Sequence, residues 1–195
     1  IITHNSVTEE DNLFNANPVK LNKDQKKAAD TINKFISQST APIVLEGVTG
    51  SGKTKVYFED VYEGQEIPTF ERTTDFMHWN RYAAVNDEFV YIHMDDEAGR
   101  AAGYDAAFGM GNLRFAYLHN MLRSWIGEEG KIKEVGCQYR LPNLKNDHLV
   151  CKGRVARKYL ENGECLVELE LRVENQKEEN TSPGKAVVAL PSRNG

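Results

Sequence analysis

The most regular pattern in the chain runs from Cys165 to Glu174. Cys165, Val167, Leu169, Leu171 and Val173 share one side, while Glu168, Glu170, Arg172 and Glu174 share the other. A period of two with one apolar side predicts a β-strand that buries one face. Leu149, Cys151, Gly153 and Val155 repeat the pattern upstream, and Glu161-Asn162-Gly163-Glu164 between the two runs carries an Asn-Gly pair. That pair suits a tight hairpin, whose turn residues need positive φ. Val135, Cys137 and Tyr139 predict a further strand up to Pro142, and residues 186–190 a short closing strand after a polar loop at 175–185. No helix-length pattern separates these strands, so they are expected to form an antiparallel meander.

Ahead of the meander the period becomes helical. Phe115, Leu118, Met121, Leu122 and Trp125 recur at helical spacing after Phe108-Gly109-Met110-Gly111, and Gly127 stands where a left-handed C-terminal cap belongs. Thr73 or Thr74 can cap an earlier helix that runs to about Val85 and turns Phe76, Trp79 and Ala83 inward. Residues 96–104 have the look of a short helix. The predicted class is α+β, an antiparallel sheet wrapped on one face around a central helix, with its other face polar.

Composition narrows the function. With 195 residues, 40% of them hydrophobic, the chain can bury one core, or one core and a small appendage. A net charge of −5 asks for neither a nucleic-acid nor an anionic-membrane partner. Cys137, Cys151 and Cys165 are odd in number, lack metal-ligand spacing and fall at inward strand positions. They read as reduced thiols of a cytoplasmic protein, with no metal implied. The opening residues carry no signal-peptide pattern, and no apolar run approaches the roughly 18 residues of a membrane span. The first residue is Ile, as in a fragment or a processed product.

The candidate chemistry lies between Trp79 and Gly127. Glu88 and His93 are five residues apart on an irregular stretch that can bring carboxylate and imidazole to one substrate atom, with Asp87 the rival base if the loop bulges by one residue. The glycine-flanked helix start leaves backbone N–H groups unpaired and positive, so the amide of Gly109, or of its neighbour Met110, can polarise a carbonyl acquiring negative charge. At these residues the chain resembles the MaoC-like dehydratases, the hot-dog-fold family that includes (R)-specific enoyl-CoA hydratases, from about Tyr57 to Arg193. That family carries Asp-x-Asn-Pro-x-His and a His-Gly-Met helix start. Here Glu88 takes the Asp position, His93 the His, Val90 and Tyr91 replace Asn and Pro, and Phe108 precedes Gly109 and Met110. The resemblance implies hydration of a 2-enoyl-CoA or acyl-carrier thioester, or the reverse dehydration, by a homodimer or heterodimer without a cofactor. It also implies an alternative, a hot-dog subunit that binds acyl thioesters or supports an active partner without chemistry of its own. Arg154, Arg157 and Lys158 would then either meet CoA phosphates or line a solvated strand face.

The first 57 residues read differently. Residues 1–20 are polar and unpatterned, and Asn22 with Gln25 forms a capping box for an apolar stripe of Ala28, Ala29, Ile32, Phe35 and Ile36. A strand at 42–45 then precedes Gly47-Val48-Thr49-Gly50-Ser51-Gly52-Lys53-Thr54, a full Walker A match. In such a loop the backbone near Gly52 wraps phosphates, Lys53 reaches the terminal ones and Thr54 holds magnesium. Residues 18–58 resemble the start of the helicase core of the primosomal replication helicase. The two resemblances abut at Tyr57 and Phe58, as in a fusion or chimeric reading frame, giving expected domains of 1–57 and 58–195. In a third reading, ATP binding at Lys53, residues 89–97 ending in Asp95-Asp96-Glu97 would form a Walker B strand.

Overall fold

A computed structural model describes residues 56–193 together with Lys23, Lys26, Lys27 and Asp30. The chain divides into two compact units, Ile1–Gly52 and Lys53–Gly195. Of the first, the four described residues are helical and exposed. Gly52, Lys53 and Thr54 lie outside the described residues, as do the expected strand at 42–45 and the rest of the Walker A loop.

In the second unit a 3₁₀ turn at Phe58–Asp60 leads to β1 (Phe70–Thr73), α1 (Phe76–Asn86), a 3₁₀ turn at Tyr91–His93, α2 (Asp96–Ala101) and α3 (Gly111–Ile126). Four strands follow, β2 (Lys131–Cys137), β3 (His148–Glu161), β4 (Glu164–Glu174) and β5 (Asn180–Ala189). They join β1 in one sheet of order β1-β3-β4-β5-β2, antiparallel throughout. The β3–β4 hairpin turns as expected, with Asn162 at φ 51° and Gly163 at φ 80°.

The inward positions of the sheet close on α3. Cys151, Val167, Leu169 and Val173 meet the helix side chains Leu118, Met121, Leu122 and Trp125 in one core. Burying each such side chain stabilises the fold by about 1.5–3 kcal/mol. The pairing of β3 with β4 slips between Val155 and Arg157. A bulge of this kind bends a strand and increases its twist, which helps the long hairpin curl round the helix. Burial pushes the Cys151 thiol up to about 12, and all three cysteines are free.

Several expectations need correction. The cap of α1 is Asp75, whose carboxylate accepts the N–H groups of Met77 at 3.0 Å and His78 at 3.2 Å; Thr74 is buried, and its hydroxyl accepts from the Asn143 amide. Helix α2 stops at Ala101, short of Tyr104. Strand β5 begins at Asn180 rather than 186, because Asn175 organises a tight turn through the N–H groups of Lys177 and Glu179. Pairing with β4 then carries Pro183 and Gly184 along despite their low strand propensity. Tyr139 lies beyond the end of β2 and is 48% exposed. Asp95 is no part of a Walker B strand, since it caps α2 by accepting the Ala98 N–H at 2.7 Å.

Candidate active site

The chain enters the site by ending α1 abruptly. Asp87 takes the left-handed conformation, φ 52° and ψ 38°, and the Glu88 N–H reaches back to the Ala83 carbonyl at 3.0 Å. This is a helix-terminating arrangement in which a left-handed residue lets the following amide satisfy an orphan carbonyl. Asp87 is exposed and Glu88 half-buried. The 3₁₀ turn then presents His93, half-buried, with its N–H on the Val90 carbonyl at 3.0 Å.

His93 is held firmly. Its Nδ1 lies 2.7 Å from the Phe108 carbonyl, and its ring stands edge-on to the Phe108 ring at 5.0 Å. A carbonyl only accepts, so Nδ1 carries the proton and Nε2 of the neutral ring is left as the acceptor. Phe108 also stacks on Tyr104 at 4.2 Å and bridges to Leu144. The imidazole is thus tied to the segment that starts the central helix.

Gly109 follows at once. Its N–H donates to the Asn143 carbonyl at 2.8 Å, and a Cβ at this position would come within 2.2 Å of the Asn143 side-chain amide. Gly109 therefore allows the connection between β2 and β3 to lie directly on the helix start. The cost is that its amide is already engaged, so the free-donor role expected for Gly109 does not hold in this arrangement. Of the two amides considered, that leaves Met110, the N-cap residue of α3. The structure thus joins His93 to the Phe108–Gly109 entry of α3. Among the described residues no hydrogen bond or ion pair joins Glu88 or Asp87 to His93; the charge of Glu88 acts on Tyr82, where burial, and then that charge, raise the hydroxyl's pKa.

Asn143 and Arg114 escape sequence reasoning, as does the part that Thr74 plays beside Asn143. Asn143 is 1% exposed, with its amide on the Thr74 hydroxyl at 3.2 Å. Thr74 in turn accepts the Asn146 N–H and donates its own N–H to the Asp147 carbonyl. Only Arg114 left a readable signal: it shares the buried stripe of α3 with Leu118, Met121, Leu122 and Trp125, and a charged residue on an apolar stripe calls for a reason. The basic residues proposed for phosphates are engaged locally. Arg157 pairs with Glu168, the Lys158 ammonium contacts the Phe58 and Val61 carbonyls, and Arg154 donates to the Gly64 carbonyl.

Hollows among the described residues lie elsewhere. A groove of about 590 Å³ is lined by Glu134, Gly136, Lys185 and Val187, and one of about 360 Å³ by Lys131, Glu164 and Pro191; neither is lined by Glu88, His93 or Gly109. Among the described residues no group of three or more His, Cys, Asp or Glu is placed to hold a metal ion, and no helix is long and apolar enough to cross a membrane.

The sheet order, the antiparallel curl and the buried helix define the hot-dog fold. The structure is similar to the unliganded R-hydratase PhaJ1 from Pseudomonas aeruginosa, with TM-score 0.64 and 18% identity over 71% of this chain and 88% of that one. It is also similar to the (R)-hydratase from A. caviae involved in PHA biosynthesis, with TM-score 0.62 and 19% identity over 68% of this chain and 99% of that one. A MaoC-like dehydratase from Rhodospirillum rubrum gives TM-score 0.62 and 17% identity over 71% and 98% of the respective chains. At these identities the likeness establishes the fold. The family model for the Type III restriction enzyme res subunit matches residues 18–74, a minority of the chain. No curated protein matches the sequence.

Proposed function

We propose that this hot-dog protein reversibly hydrates a 2-enoyl thioester, carried on CoA or on an acyl-carrier protein, to the 3-hydroxyacyl thioester. The observation that carries the reading is the His93 imidazole, fixed by Nδ1 on the Phe108 carbonyl beside the start of α3. Nε2 takes a proton from water as its oxygen bonds to C3. The C2–C3 π pair moves toward C2 and the carbonyl pair onto the thioester oxygen; the proton held on Nε2 is then delivered to C2 as the thioester C=O re-forms, which leaves the imidazole neutral again. Glu88 shares the binding and deprotonation of the water, with Asp87 its rival. The Met110 amide, at the positive end of the helix, stabilises the enolate oxygen, and Gly109 positions that amide.

A second reading has a specific observation in its favour. Because the Gly109 amide is occupied by Asn143, the protein would bind acyl thioesters, or support an active partner, without turnover. A spectrophotometric assay with crotonyl-CoA and longer enoyl-CoA substrates separates the two. Hydration abolished by His93→Ala supports the enzyme; thioester binding with no turnover of any chain length supports the binding subunit.

Pairing with a second subunit, identical or different, is part of the proposal. Strand β2 ends the sheet with one side unpaired, and Val85, Phe89 and Tyr91 are 85%, 60% and 79% exposed around the His93 turn. Unpaired edges and apolar patches of this kind are usually covered in an assembly. One solved neighbour is the ChsH1–ChsH2 complex from Mycobacterium tuberculosis, at 17% identity. Light scattering that finds a monomer at micromolar concentration would remove this part. A cytoplasmic setting fits the three free thiols.

A further inference from the structure

Arg114 is 3% exposed and sits one turn into α3. Its Nη1 donates to the Leu141 carbonyl at 2.6 Å and to the Thr181 carbonyl at 3.3 Å. Nε is buried with no partner, and Nη2 makes no hydrogen bond among the described residues. Two backbone carbonyls thus hold one corner of the guanidinium and leave its opposite edge unused. That Nε–Nη2 edge is one of the forks in which arginine binds a carboxylate through two parallel hydrogen bonds.

Among the described residues no carboxylate fills the fork. Asp147, whose charge reaches Arg114, is committed to the Leu144 N–H at 2.6 Å and the Gln176 amide at 2.7 Å. A buried cation without an anion is costly, and the adjacent N-terminus of a 16-residue helix adds further positive potential. Tyr139 packs over the guanidinium. The Tyr139 ring centroid lies 5.4 Å from the guanidinium carbon; the residue is 48% exposed, and its hydroxyl donates to Asn112 Oδ1 at 3.0 Å and is also hydrogen-bonded to the Cys137 side chain.

We propose that Arg114 and the start of α3 form a carboxylate site under Tyr139, and that the thioester substrate carries a second carboxylate at the far end of a short acyl chain. This rests on the thioester reading above. Met110 and Arg114 are four residues apart, so they share one side of the first turn of α3, and a short acyl chain whose thioester oxygen sits at the Met110 amide would run along that side toward Arg114.

Titration calorimetry on the full 195-residue chain tests the site with succinyl-CoA and butyryl-CoA, which differ only in a terminal carboxylate against a methyl. Succinyl-CoA is expected to bind at least about tenfold tighter, the effect of one charge-assisted hydrogen bond or more. Arg114→Lys, which keeps the charge and loses the fork, should bring the ratio close to one; Tyr139→Phe should preserve it. If Arg114→Lys does not fold, the wild-type ratio decides. Equal or weaker succinyl-CoA binding, no binding of either thioester, or a preference that survives in folded Arg114→Lys would overturn the inference. So would an equal loss of butyryl-CoA binding in that variant, which would mean that Arg114 meets a CoA phosphate. Turnover of crotonyl-CoA without the preference leaves the hydratase standing and removes this site. The preference without turnover of either crotonyl-CoA or the CoA monothioester of trans-butenedioic acid does the reverse.

Discussion

The β3–β4 hairpin and the segment from residue 87 to residue 111 satisfy their backbones in opposite ways. In the hairpin, pairing is repetitive from Val150↔Glu174 to Glu161↔Glu164, so the side chains are left to pack. In the segment polar groups find partners one at a time: Glu88 N–H on Ala83, His93 Nδ1 on Phe108, Ala107 N–H on Asp96, Gly109 N–H on Asn143. The hairpin buries Val167, Leu169 and Val173 completely, whereas Phe89 and Tyr91 of the segment face outward. The contrast teaches that stability and candidate chemistry sit in separate parts of the chain, so substitutions should be able to move one without the other.

The largest separation is expected from His93→Ala. Loss of the acid–base imidazole should lower enoyl-CoA hydration by about 10²–10⁴-fold, while the urea midpoint stays close to that of the wild type; an intact rate would end the hydratase reading. The converse is Leu169→Ala in β4, at 0% exposure, which should cost about 2–5 kcal/mol by urea titration with the rate per folded molecule unchanged. Gly109→Ala stands where the two regions meet, because its Cβ overlaps the Asn143 side chain. It should cost about 1–3 kcal/mol as an overpacking change and lower the rate as well. A stable, fully active variant would show that the close approach does not matter.

The smallest effect is electrostatic. The hydrogen bond from the His78 ring, with backbone N–H groups behind it, holds the Asp75 carboxyl below its ordinary 3.8. A depressed pKa contributes stability above the unfolded value and loses it as pH falls through the folded one. The stability gap between wild type and Asp75→Asn should therefore close as pH falls below about 3.8; urea midpoints across the acid range measure it. A gap independent of pH would mean that the cap does not depend on the carboxylate charge.

How much was legible depended on whether a residue's role is repeated along the chain. Val167, Leu169, Leu171 and Val173 announce their strand because each confirms the next, and Asn162-Gly163 is a local choice with local consequences. The stripe on α3 was readable in the same way. The start of β5 was missed because Pro183 and Gly184 read as loop residues, while their strand geometry is imposed by β4. Arg114 and Asn143 were missed for a related reason: their partners lie between 27 and 69 residues away.

The sequence alone thus determined an antiparallel layer, a hairpin and a central amphipathic helix, because periodicity and turn chemistry act over a few neighbouring residues. Tertiary structure decided which nitrogen of His93 is held by Phe108, that the Gly109 amide is taken by Asn143, and that Arg114 has no carboxylate beside it among the described residues. Those outcomes depend on a carbonyl or an acid arriving from elsewhere in the fold, and only the folded sheet brings it there.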